Sequence, residues 1–223
     1  MSTIALWAPA ALALVLVITP GPWRLSRNVI TIAHEAGHAL TALLTGRRLT
    51  GIKLHSDTSG VTVSRGRPAG PGMVATAFTG YVTPSLLGLG AAALATADQI
   101  RPLLLGTVVL LGLMLIMIRN VFGVLSVVVT GGIVFAVFWF GGRDVRVAFA
   151  LFIAWFLLLG GVRPIGELQR KRARGRARDS DADQLGRLTG VPGLVWVAVF
   201  AAVALGCLFL GGRLLLPDLM LPG

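Results

Sequence analysis

The chain breaks into apolar blocks that are each about as long as a lipid bilayer is thick, and this constrains its fold more than any other feature. Crossing a bilayer takes about 20 apolar residues in a helix. Blocks of that order lie at 3–19, 28–44, 72–96, 102–118, 121–140, 145–162 and 191–212. Hydrocarbon offers no hydrogen-bond partners, so a block that enters it must satisfy its own backbone as a helix. Only 13% of the residues are charged, against about 25% in a soluble domain. Mean hydropathy is +0.83. The expected fold is an all-α polytopic membrane protein. Thr19-Pro20-Gly21-Pro22 reads as a turn after a retained first span. Arg119-Asn120 alone separates two other blocks, as a tight hairpin or a kink in one long helix, so six or seven transmembrane helices are expected.

Two connections stand out. Residues 47–67 alternate in places (Ile52, Leu54, then Val61, Val63) around the turn-rich Ser56-Asp57-Thr58-Ser59-Gly60, which predicts a small β-hairpin insert after the second helix. Residues 163–179 begin with Arg163-Pro164 and carry Arg170, Lys171, Arg172, Arg174, Arg176 and Arg178, which predicts a basic cytoplasmic loop. The net charge of +11 sits in such stretches between apolar blocks. That pattern marks topology and attraction to an anionic lipid bilayer rather than nucleic-acid binding. Cys207 is the one cysteine, so no internal disulfide is possible. Residues 1–223 read as a single integral membrane domain. Counting through seven spans puts the hairpin and the basic loop on the same, cytoplasmic, side. His38 and Asp181 then lie toward that side, while Asp98 and Asp144 fall at the opposite face.

Within block 28–44 the only ionisable side chains are His34, Glu35 and His38, an H-E-x-x-H motif. Such groups cost roughly 2.5–3.5 kcal/mol each to place in a membrane helix, so they seldom occur there without a purpose. On a helix the two imidazoles project from one face a turn apart, which is half of a tetrahedral zinc site. Glu35 stands beside them as a candidate proton acceptor. The structural alternative is three side chains that satisfy one another without a metal. Catalytic zinc takes a third protein ligand. His55 and Asp57 belong to the hairpin, and Glu167 to the basic loop. Asp179, Asp181 and Asp183 remain. Ser180 with these acids also reads as a helix cap. Asp181 and Asp183 are about 200° apart on a helix, so one of them faces inward.

Thr31-Ile-Ala-His34-Glu35-Ala-Gly37-His38-Ala-Leu resembles the active-site helix of the site-2 protease family, intramembrane zinc metallopeptidases. Gly80-Tyr-Val-Thr-Pro84-Ser85 is similar to that family's glycine-containing segment near the site. The resemblance implies a zinc endopeptidase that cleaves membrane-protein substrates in or near their membrane-spanning segments. It implies His34 and His38 as Zn²⁺ ligands and Glu35 as the catalytic base. Most members carry the ligating aspartate in an Asp-Gly motif that is absent here. Ser180-Asp181-Ala182-x-x-Leu185 looks instead like a compact bacterial branch without a PDZ domain. That implies Asp181 as the third ligand, a multi-pass protein of the bacterial inner membrane, and a role in regulated intramembrane proteolysis. The rival classes are a membrane metal transporter and a non-catalytic scaffold. No repeat of the H-E-x-x-H segment supports the former.

Overall fold

The computed structural model describes residues 3–177 and 179–216. Its elements run α1 (Thr3–Ile18), α2 (Pro20–Leu44), β1 (Arg48–Leu54), β2 (Gly60–Arg65), α3 (Pro71–Thr96), α4 (Ile100–Met117), α5 (Val121–Phe140), α6 (Arg143–Ala173), α7 (Asp181–Thr189) and α8 (Gly193–Leu215). Helices α3, α4, α5, α6 and α8 are each long and apolar enough to cross a membrane. The helices of blocks 3–19 and 28–44 are not each long and apolar enough to qualify singly. They qualify together, as a pair bent by 102° at Thr19, so the described helices give five candidate spans, or six with that pair. The bend falls at the first residue of the expected turn, and the prolines that follow open α2. A proline at the first helical position lacks only an N–H that would be unpaired there, and its φ suits the helix.

Helix α3 lies at the centre and packs against α2, α6 and α8. Helices α4 and α5 sit at the periphery. α5 buries only Gly123, Val127 and Val134 among its residues, and most of its other apolar side chains are exposed, as a lipid-facing helix requires. Helix α6 does not stop at Arg163-Pro164. It runs on to Ala173, so the first eleven residues of the expected basic loop are helical. The reason lies in tertiary packing: Ile165 and Leu168 are each 4% exposed, in a cluster with Ala182, Leu185 and Phe200.

The β-hairpin forms as expected. β1 and β2 pair antiparallel from Arg48↔Arg65 to Leu54↔Gly60, with an irregularity between Leu49 and Gly51. Ile52 and Leu54 are buried. Arg119-Asn120 is a tight connection, and it closes the outer edge of β1. Arg119 N donates to Ile52 O at 2.9 Å. The Asn120 side chain accepts from Leu54 N at 3.1 Å and donates to Leu54 O at 2.6 Å. An edge that would otherwise expose unpaired backbone groups is thereby covered.

Candidate metal centre

Helix α2 carries His34 and His38 one turn apart, with ring centroids 4.7 Å apart. Helix α3 crosses them closely because residue 80 is glycine. A Cβ there would stand 2.7 Å from His34 Cε1 and closer still to the His38 ring. Tyr81, next on α3, meets the His34 ring edge-on at 4.8 Å and stacks on Phe200 of α8 at 5.1 Å. His38 Nδ1 donates to the Thr76 carbonyl at 2.6 Å. In the neutral ring that leaves a lone pair on Nε2, the atom turned toward His34. A histidine held through its other nitrogen in this way is characteristic of metal ligands.

Helix α7 supplies the carboxylate. Ser180 caps it, accepting from Asp183 N at 3.3 Å. Asp183 also accepts from the Ser180 hydroxyl at 2.9 Å and pairs with Arg172 of α6. Ala182 and Leu185 are fully buried and dock the helix. Asp183 thus takes the capping and anchoring role, and Asp181, on the other flank, faces α2. Its Oδ2 lies 3.3 Å from His34 Nε2 and 3.3 Å from His38 Nε2, and the two Nε2 atoms are 3.0 Å apart. Burial alone would push the Asp181 carboxyl up. The His38 and His34 imidazoles beside it outweigh that and hold it below the usual carboxylate range.

This donor set fits zinc. Bonds of about 2.0–2.2 Å in a tetrahedron put ligand atoms roughly 3.3–3.6 Å apart, close to the three separations observed. Two imidazole nitrogens and a carboxylate oxygen are zinc-type ligands. A proton serves one pair of these atoms, whereas a metal ion serves all three. His34, His38 and Asp181 are the one such group of three or more among the described residues.

Glu35 is 3% exposed and turns toward the hairpin. Thr62 of β2 donates to its Oε2 at 2.6 Å. Gly60 lets the strand lie against the carboxylate, since a Cβ there would be 2.5 Å from Oε1. The hairpin is pinned to α2 at its tip as well, where Thr31 donates to Thr58 O at 2.9 Å and Arg27 donates to Thr58 Oγ1 at 2.9 Å.

The other candidates lie apart. His55 and Asp57 form the hairpin turn, where Ser59 donates twice to Asp57 and holds its carboxyl below the usual range. Glu167 is on α6, not in a loop, and accepts from Trp23 Nε1 at 2.9 Å. Asp98 pairs with Arg143 at 3.2 Å, beyond the far end of α3. Asp179 is exposed. Thr62 and the Thr76 carbonyl carried no sequence signal, and Gly60 was marked only as a turn residue. Tyr81 did, being the one tyrosine of the chain.

The sequence model of the Peptidase M50B-like family matches residues 7–211, from α1 into α8. The chain belongs to that family. This is the site-2 protease family, to which the α2 motif bore its resemblance, and its members are membrane metallopeptidases. The chain is accordingly a multi-pass membrane protein of the protease class. No curated protein and no solved structure matches it.

Proposed function

We propose that this site-2-type peptidase is a zinc endopeptidase that hydrolyses peptide bonds in or near membrane-spanning segments of membrane-protein substrates. It would act within the bacterial inner membrane, as one domain, in regulated intramembrane proteolysis. One observation supports the reading above all others: zinc-type donor atoms of His34, His38 and Asp181 meet within 4.8 Å of one another, on the helix that carries buried Glu35 and on the short helix α7.

In this reading His34, His38 and Asp181 hold Zn²⁺. Bound zinc supplies Lewis acidity and brings the pKa of water toward about 7. Glu35 takes a proton at its carboxylate during attack on the scissile carbonyl and returns it to the leaving nitrogen. Thr62 fixes the direction in which that carboxylate faces. The Thr76 carbonyl holds the His38 ring in its donor tautomer. A substrate helix has its carbonyls tied up in internal hydrogen bonds, so it must unwind locally. Ile118 to Asn120 occupy the outer edge of β1. The outer edge of β2 is then where an unwound segment would pair by strand addition.

Glu35→Gln tests the reading. The variant should keep its zinc and lose cleavage of a membrane-anchored substrate. Normal turnover by the variant would end the proposal.

A further inference from the structure

A cavity of about 470 Å³ opens at the elbow between α1 and α2, away from the metal centre. Its walls are the start of α2, the hairpin turn and the polar end of α6. Five basic side chains line it: Arg24, Arg27, Arg170, Lys171 and Arg174. Two carboxylates, Glu167 and Asp57, oppose them and offset part of that charge. Glu167 is shared among Trp23, Arg27 and Arg163. Asp57 is held by Ser59. Arg24, Lys171 and Arg174 make no ion pair among the described residues.

An excess of positive charge in a concave site, five basic side chains against two carboxylates, calls for an anion. Arginine forks and a lysine ammonium match phosphate oxygens. The site is also rigid. Arg27 is held between Thr58 Oγ1 at 2.9 Å and Glu167 Oε2 at 3.3 Å. Thr58 has φ 67. A β-branched residue is strained there, and such strain persists only where surrounding contacts enforce it, often at ligand sites. Depth indicates the source of the phosphate. Block 145–162 of α6 is apolar, and Glu167 lies roughly 7–8 Å of helix beyond it, the depth expected of a headgroup layer if that block fills the hydrocarbon. Trp23, buried in the cavity wall, is of the type that lines that layer.

We propose that this cavity binds a phosphate group, and that a lipid headgroup is the phosphate its depth favours. Basic pockets at the ends of membrane helices bind anionic headgroups by the same chemistry. The site is independent of the reaction proposed above, and its test reads binding alone.

The full chain is purified in detergent and titrated with phosphatidylglycerol, with bound lipid counted by mass spectrometry of the intact complex. Diacylglycerol, which has no phosphate, is the lipid control; glycerol 3-phosphate and inorganic phosphate are the soluble arms. The variant R24Q/K171Q/R174Q changes three exposed side chains of the cavity. R48Q/K53Q/R65Q changes three charges of the hairpin as a control. Phosphatidylglycerol affinity should fall at least about tenfold in the first variant and less than about twofold in the second. Soluble phosphates that bind with the same dependence on the cavity residues would support the phosphate site and name free phosphate as its source. Equal losses in both variants, no loss in the first, or equal binding of diacylglycerol would overturn the proposal.

Discussion

Gly60→Ala separates the proposed proton-transfer role of Glu35 from the proposed metal binding. The added Cβ would stand 2.5 Å from Glu35 Oε1, 2.6 Å from Cγ and 2.7 Å from Cδ. Ordinary contact begins at 3.4 Å, so the carboxylate or the strand must move by 3.4 − 2.5 = 0.9 Å. The residue does not occupy the left-handed region, so alanine adds no backbone strain of that kind. A displacement of about 1 Å at a reacting group costs on the order of 100-fold in rate. Overpacking costs stability as well, typically about 1–3 kcal/mol, which a melting curve reads separately. His34, His38 and Asp181 are untouched. The expected result is wild-type zinc content with kcat/KM for a membrane-anchored reporter lowered about 100-fold. Undiminished cleavage, or loss of zinc along with activity, would refute the reasoning.

Gly80→Ala acts on the opposite half of the site. Its Cβ would overlap the His38 ring and press on His34, so zinc content should fall steeply, as elemental analysis of the purified protein would show. Asn120→Ala removes both side-chain hydrogen bonds to the Leu54 backbone. Two such bonds are worth about 1–3 kcal/mol together, so amide exchange at Leu54 should quicken roughly 5- to 150-fold.

Block length is a local property of the chain, and it suffices to mark out α3, α4, α5, α6 and α8. That the chain breaks at Thr19-Pro20 was legible from its turn residues; the 102° angle of the bend was not, because it follows from packing across the fold. Arg163 of α6 donates to the Val17 carbonyl at the end of α1 and lies over the Trp23 ring at 4.8 Å. The run of α6 through Pro164 was hidden for a similar reason, since Ile165 and Leu168 are buried only against α7, α8 and α3. At the site, the spacing of His34 and His38 was readable from helix geometry alone. The choice between Asp181 and Asp183 was not. They stand on opposite flanks of the Ala182–Leu185 stripe, and only docking decides which flank meets the imidazoles. The contact of Thr62 with Glu35 depends on where a hairpin lands, which no local pattern encodes.

Zinc content of the purified protein tests the central claim most directly. The wild type should carry one zinc per chain. Asp181→Ala should lose it, while Asp183→Ala, which loosens α7 without removing a donor atom, should retain it. A wild type without zinc, or an Asp181→Ala variant that keeps a full complement, would contradict the account.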